Sequence, residues 1–251
     1  MPTATRLKPA TLAAEHQRVL REQRIDITSP GSMLYDFNVL LDTLQPDGLQ
    51  ASGTYQLLPL KILDQLNSQL ARPIEHGLSR PQQKSFPHIN GLYLLLRTTG
   101  LAQVERRGAK HFLVLNQTAL DSWYSLDPTE QYCTLLETWL LRWNGEVTGE
   151  RHGPFQHPLT QWSQFFQRIP AKGLKIAGHQ NEESIISFLP GLINIALLEL
   201  FGCLTVQDGP VVIGKGWQVA TVQKTPWGQS LEQLLTPSRQ LVGISRAAGT
   251  D

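Results

Sequence analysis

Apolar positions recur at three- and four-residue spacing in several stretches of the chain, and glycine, proline or asparagine closes most of them. Leu34, Phe37, Leu40, Leu41 and Leu44 mark one face of a helix over Met33–Leu44, ended by Pro46-Asp47-Gly48. Leu60, Leu63, Leu66 and Leu70 mark a second helix, and Thr54–Leu58 ahead of it has the composition of a short strand. Leu12, Val19 and Leu20 allow a short helix near the N-terminus, stopped by Ser29-Pro30-Gly31. Ile89–Thr99 is a strongly apolar helix, and Gly100 suits a left-handed C-cap. Leu101–Glu105 and Phe112–Leu115 are strand-like and are joined across Arg106-Arg107-Gly108-Ala109-Lys110. Asn116 caps a helix through Leu126. Asp127, Pro128 and Glu130 then open another by a capping-box arrangement, with a wide stripe of Tyr132, Leu135, Leu136, Trp139, Leu140 and Trp143.

The second half carries a similar succession. A short helix is expected near Leu159–Gln167, an apolar helix over Ile185–Phe201 with Gly202 as its stop, strands at Leu204–Gln207 and Gln218–Val222, and a closing helix over Thr225–Leu235. LLRTTGLAQV at 95–104 lies over LLELFGCLTV at 197–206, and Thr118 over Thr225, so a second hairpin five residues longer would relate the two halves as a repeat. The plainer alternative is two independent helix–strand–strand–helix units. Either way the expected fold is α+β, mostly helical, with two winged-helix-like units. The boundaries read as a polar N-terminal segment over 1–30, a first unit over 31–145, a connection over 146–182, a second unit over 183–240 and a tail over 241–251.

Composition alters this picture little. A chain of 251 residues with 41% apolar and 17% charged side chains can bury a substantial core. Cys133 and Cys203 each sit in an apolar run and read as buried free thiols, because no further ligands or partners lie at framework spacing. Ser184–Val206 is long enough to span a bilayer, but Pro190-Gly191, Asn194, Glu199 and Gly202 interrupt it. A buried core helix, no membrane role and a cytoplasmic location are therefore expected.

Charge matters more. A net charge of +1 hides a local excess: between Ala71 and His111, seven basic residues face two acidic ones, a local +5. Between Asn116 and Glu150 the balance is six acids to one arginine, a local −5. A basic turn between two strands can lie along a phosphate backbone, and a solvated hairpin tip is the plain alternative. The candidate nucleic-acid contacts are Arg80, Lys84, His88, Asn90, Arg97, Arg106, Arg107 and Lys110. Ile89–Thr99 offers few polar positions for reading bases, and Ile185–Leu200 is apolar all round, the mark of a buried helix.

Other chemistry finds less support. Gly209–Gly216, GPVVIGKG, matches the outline of a phosphate loop, but Gly216 stands where Ser or Thr should hold magnesium, and a strand-like run follows instead of a helix. It reads as a flexible second wing. His152 and His157 have no acidic partners at ligand spacing, and no hydrolase elbow or zinc-protease motif is present. No metal, no cofactor and no enzymatic activity are expected.

RPQQKSFPHINGLYLLLRTTGL and VLNQTALDSWYSLDPTEQYCTLLETWL resemble the helical region that accompanies the plasmid ORF-three-like domain of bacterial proteins, over 35–145 and more weakly over 183–235. No segment resembles the ORF-three-like domain itself. The resemblance implies a bacterial, mobile-element or regulatory setting and carries no catalytic residues. The expected function is that of a non-enzymatic nucleic-acid-associated or regulatory protein, with DNA as partner. The alternative is a protein-interaction or self-association module, forming a homodimer or binding another protein, suggested by the apolar helix Ile185–Leu200 and by Trp139 and Trp143.

Overall fold

The computed structural model describes residues 12–142, 158–177 and 190–235, together with residues 147 and 186. The fold is α+β and mostly helical, with two small antiparallel sheets. Ahead of the first unit lies α1 (Ala14–Glu22), which packs on the last of the described helices.

The first unit runs α2 (Met33–Thr43), β1 (Leu49–Gln50), α3 (Leu60–Gln69), a single 3-10 turn at Gln83–Ser85, α4 (Pro87–Thr98), β2 (Ala102–Arg107), β3 (Lys110–Leu115) and α5 (Gln117–Ser125). Its sheet has the order β1-β3-β2. Leu49 and Gln50 face Leu113 and Phe112, and Ala102 to Arg107 face Leu115 to Lys110 in register. The strand is thus Leu49–Gln50, not Thr54–Leu58. The latter closes a turn through the pairing of Ser52 with Leu57, and two residues are too few to leave an alternating pattern.

α6 (Pro128–Leu141) leads toward the second unit. Its expected start is present: Asp127 accepts from the Glu130 N–H, while the Glu130 carboxylate accepts from the Asp127 N–H, each at 2.9 Å. Asn116 likewise caps α5 by accepting from the Ala119 N–H. Trp139 on α6 is fully buried, stacked on Trp162 and Phe201, and Tyr132 donates to the Phe201 carbonyl at 2.6 Å. Trp139 is therefore interior and offers nothing to a partner. Trp143, Asn144 and Gly145 lie outside the described residues, as do His152 and His157.

The second unit runs α7 (Pro158–Arg168), β4 (Leu174–Lys175), α8 (Leu192–Leu200), β5 (Leu204–Asp208), β6 (Val219–Lys224) and α9 (Pro226–Leu235). Its sheet order is β4-β6-β5, the counterpart of the first. β4 pairs with β6, so this unit begins before residue 183, inside the stretch read as a connection. α8 is shorter than the expected helix over Ile185–Phe201, because Gly191 takes φ +85 after a turn at Pro190. Its neighbours 185 and 187–189 lie outside the described residues.

α2, β1, α4, β2, β3 and α5 of the first unit have counterparts in α7, β4, α8, β5, β6 and α9 of the second. Gly100 and Gly202 follow α4 and α8 with φ of +78 and +68, as left-handed caps require. The helix caps Asn116 and Thr225 correspond, each accepting from a backbone N–H three residues on. The offset between units is 102 residues at β2 and β5 and 109 at the caps, so the second hairpin is longer by seven residues rather than five.

α4 and α8 pack against each other across the centre of the molecule, and one continuous apolar core draws on both units. Leu92, Leu95 and Leu96 of α4 and Ile195, Leu197 and Leu198 of α8 are all buried. At about 2 kcal/mol for each buried leucine or isoleucine, apolar packing is the main force at this joint. The apolar directions of α8 are covered from within, as a helix apolar all round requires. No helix among the described residues is long and apolar enough to cross a membrane.

Candidate nucleic-acid interface

The eight candidate contacts fall into three settings. Arg106, Arg107 and Lys110 stand exposed at the tip of the β2–β3 hairpin. The tip is held firmly: Arg106 Nε donates to the Gly108 carbonyl at 3.0 Å, and Arg107 lies 4.9 Å over the Phe112 ring. Arg107 also donates to the Asp47 carbonyl and pairs with Glu105 at 3.2 Å.

Arg80 and Lys84 form the second setting, exposed on the loop that leads into α4. This loop, which the sequence presents only as a polar connection, is pinned along its length. The Ala71 N–H donates to Asp36, Asn67 exchanges hydrogen bonds with the backbone of Ile74, and Gly77 pairs with Ile213 of the second unit. Buried Gln83 accepts from the Leu58 N–H and donates to Asn90, each at 2.9 Å. Lys84 follows directly on buried Gln83, and Arg80 stands between the pins at Gly77 and Gln83.

His88, Asn90 and Arg97 are the third setting, on α4, and here the expectation is corrected. His88 and Asn90 are each 2% exposed. Asn90 is engaged with Gln83, and His88 turns inward to Glu199. α8 covers the side of α4 that carries His88, and the turn at Gln83–Ser85 covers the side that carries Asn90, so neither residue is a surface contact. Arg97 is half-buried, donating to the Tyr93 hydroxyl at 2.7 Å, and that hydroxyl donates to the Gln56 carbonyl. Burial raises the Tyr93 phenol, with Arg97 opposing.

A cluster that sequence reasoning missed lies where the units meet. His88 Nε2 is 2.8 Å from Glu199 Oε2, the oxygen that also takes Arg72 Nη2 at 2.5 Å. Arg72 Nη1 reaches Asp208 at 2.7 Å, Asp208 accepts from the Trp217 indole N–H at 2.7 Å, and Arg72 lies over the Trp217 ring. Trp217 also meets the His88 ring edge-on at 5.1 Å. Nearby Asp36 is 1% exposed, accepting from the Ser32 hydroxyl and the Ala71 N–H at 2.7 Å each. Burial raises the Asp36 carboxyl despite those two donors. Arg72 is thus spent on ion pairs at the seam, and the basic residues between Ala71 and His111 divide among the hairpin tip, the loop, α4 and this network. Carboxylates at 199 and 208 so far along the chain from Arg72 leave no local sequence signal for this.

The thiols differ from expectation on one side. Cys203 is buried, as read, but Cys133 is exposed on the outer side of α6. No group of three or more metal-ligating side chains capable of holding an ion exists among the described residues. No protein-family model matches the chain, and no curated protein or solved structure matches it either.

Proposed function

We propose that the protein is a non-enzymatic nucleic-acid-associated or regulatory protein that holds duplex DNA by its phosphates. Arg106, Arg107 and Lys110 on the hairpin tip make the main contacts, and Arg80 and Lys84 on the pinned loop add to them. The observation that carries this reading is the contrast along one unit. The basic hairpin is exposed and braced, whereas the preceding helix is closed off by α8. Guanidinium groups on a braced turn suit phosphate oxygens and carry no base information. The helix–strand–helix–helix–strand–strand order of the first unit, with sheet order β1-β3-β2, fits a winged helix in which only the wing remains available. The bacterial mobile-element setting implied by the sequence resemblance agrees with such a role. Replacing Arg106, Arg107 and Lys110 together by glutamate should abolish retention of duplex DNA at low salt, and unchanged retention would overturn the reading.

One observation favours a protein-interaction or self-association module as the second reading. Val211, Val212 and Ile213 are exposed in sequence at the tip of the second hairpin, Ile213 at 94%. An Ile213→Asp variant that lowers the mass seen by light scattering would support it. A wild-type protein that stays monomeric at every concentration would remove its self-association form.

A further inference from the structure

We propose that Lys215, on the second unit, belongs to the same phosphate-contacting face as Arg80 and Lys84, an inference that rests on the nucleic-acid reading above. The stretch between β5 and β6, residues 209–218, does not hang free as a second wing. Its tip is sewn onto the pinned loop of the first unit. The Gly77 N–H donates to the Lys215 carbonyl at 2.9 Å, and the Gly214 N–H donates to the Gly77 carbonyl at 2.8 Å. Gly77 and Ile213 form a parallel bridge. Only glycine permits this approach, because a Cβ on residue 77 would lie 2.0 Å from the Val212 carbonyl oxygen.

Lys215 therefore stands beside Gly77 with its side chain exposed. Arg80 is three residues further along the same loop, a span of at most about 11 Å even if fully extended. Lys215 and Arg80 thus stand on adjoining segments of one seam, where each can meet a phosphate of the same duplex. Arg72 offsets only one of the two carboxylates Glu199 and Asp208, and exposed Glu75 stands on the same loop, so Arg80, Lys84 and Lys215 leave this seam with a small positive excess.

The seam has its own foundation. Arg72, at the start of the loop, is fastened to Glu199 of α8 and Asp208 of β5, and it lies over Trp217 at the end of the second hairpin's tip. Trp217 in turn donates to Asp208. Both ends of the Gly77–Lys215 pairing are thus anchored. Arg72 and Gly77 are positioning residues, and Lys215, Arg80 and Lys84 are the contacts.

The test uses the full chain and a short labelled duplex of random sequence, with affinity measured over a range of potassium chloride. Lys215→Ala should weaken binding several-fold and reduce the slope of log affinity against log salt by about 0.9, the value of one lost phosphate contact. Gly77→Ala should give a similar loss together with faster amide exchange over residues 209–217, and adding Lys215→Ala to it should change little further. If Lys215→Ala alters neither affinity nor slope while the Arg106, Arg107 and Lys110 triple variant abolishes binding, the inference falls and the reading beneath it stands. A wild-type protein that does not retain the duplex overturns both.

Discussion

His88 and Glu199 are 111 residues apart in the chain and 2.8 Å apart in space, joined across the seam between α4 and α8. The histidine comes from the first unit and the carboxylate from its counterpart in the second. Glu199 also holds Arg72, so one carboxylate oxygen serves two partners. Leucines and isoleucines dominate the attraction at this joint, but they tolerate sliding. A buried polar contact does not, because a slide of α4 on α8 by one turn would part His88 from its acceptor on Glu199.

Removing that carboxylate should be costly. Glu199→Ala leaves Arg72 and His88 partly buried without their shared acceptor, and about 3 kcal/mol of stability should be lost. Urea unfolding at neutral pH measures it directly. A loss below about 0.5 kcal/mol would place the contact among ordinary surface ion pairs.

Asp36 gives the molecule a pH dependence of definite sign. Its carboxyl is raised from 3.8, first by burial and then by the charge of Glu199, with the Ala71 N–H, the Ser32 hydroxyl and His88 opposing. Between 3.8 and the raised value the folded protein holds a proton that the unfolded chain has released. Stability from this group is therefore present at low pH and is lost as pH rises through that window. Asp36→Asn should flatten this part of the profile in urea unfolding from pH 4 to 7. A difference between variant and wild type that stays constant over that range would contradict the assignment.

Local features of the chain were readable because their causes are local. Asn116, Asp127 and Glu130 cap helices with bonds that span three residues, and Gly100 and Gly202 are required by the backbone itself. The seam was not readable. Whether α4 turns His88 toward a groove or toward Glu199 depends on which helix covers it, and that helix lies about a hundred residues away. Arg72 illustrates the same limit, since a count of charges along the loop includes it although Glu199 and Asp208 neutralise it. Gln83 appears as one more polar loop residue until Leu58 and Asn90 are seen to close around its amide.

The two thiols should behave differently. Cys203 is enclosed and burial pushes its thiol far up, so it is held neutral and out of reach. Cys133 is exposed, although partial burial and Asp127 raise it as well. A thiol reagent at pH 8 should titrate one equivalent in the native protein and the second only in denaturant. Two equivalents at once in the native state would mean that the core around Cys203 opens readily.

The packing of α4 on α8 has a sharper test at Gly91. A Cβ there would lie 2.9 Å from both Cγ and Cδ2 of Leu197, too close for either to stay in place. Gly91→Ala gains about 1 kcal/mol of helix propensity but overpacks the seam by about 1–3 kcal/mol, so a small net loss is expected. Leu197→Ala alone should cost about 2–5 kcal/mol through the cavity it leaves. Together the two changes should cost less than the sum of their separate losses, because the new methyl group enters the space that the leucine vacates. Strict additivity in urea unfolding would mean that Gly91 and Leu197 do not share this contact, and the register assigned to the seam would be wrong.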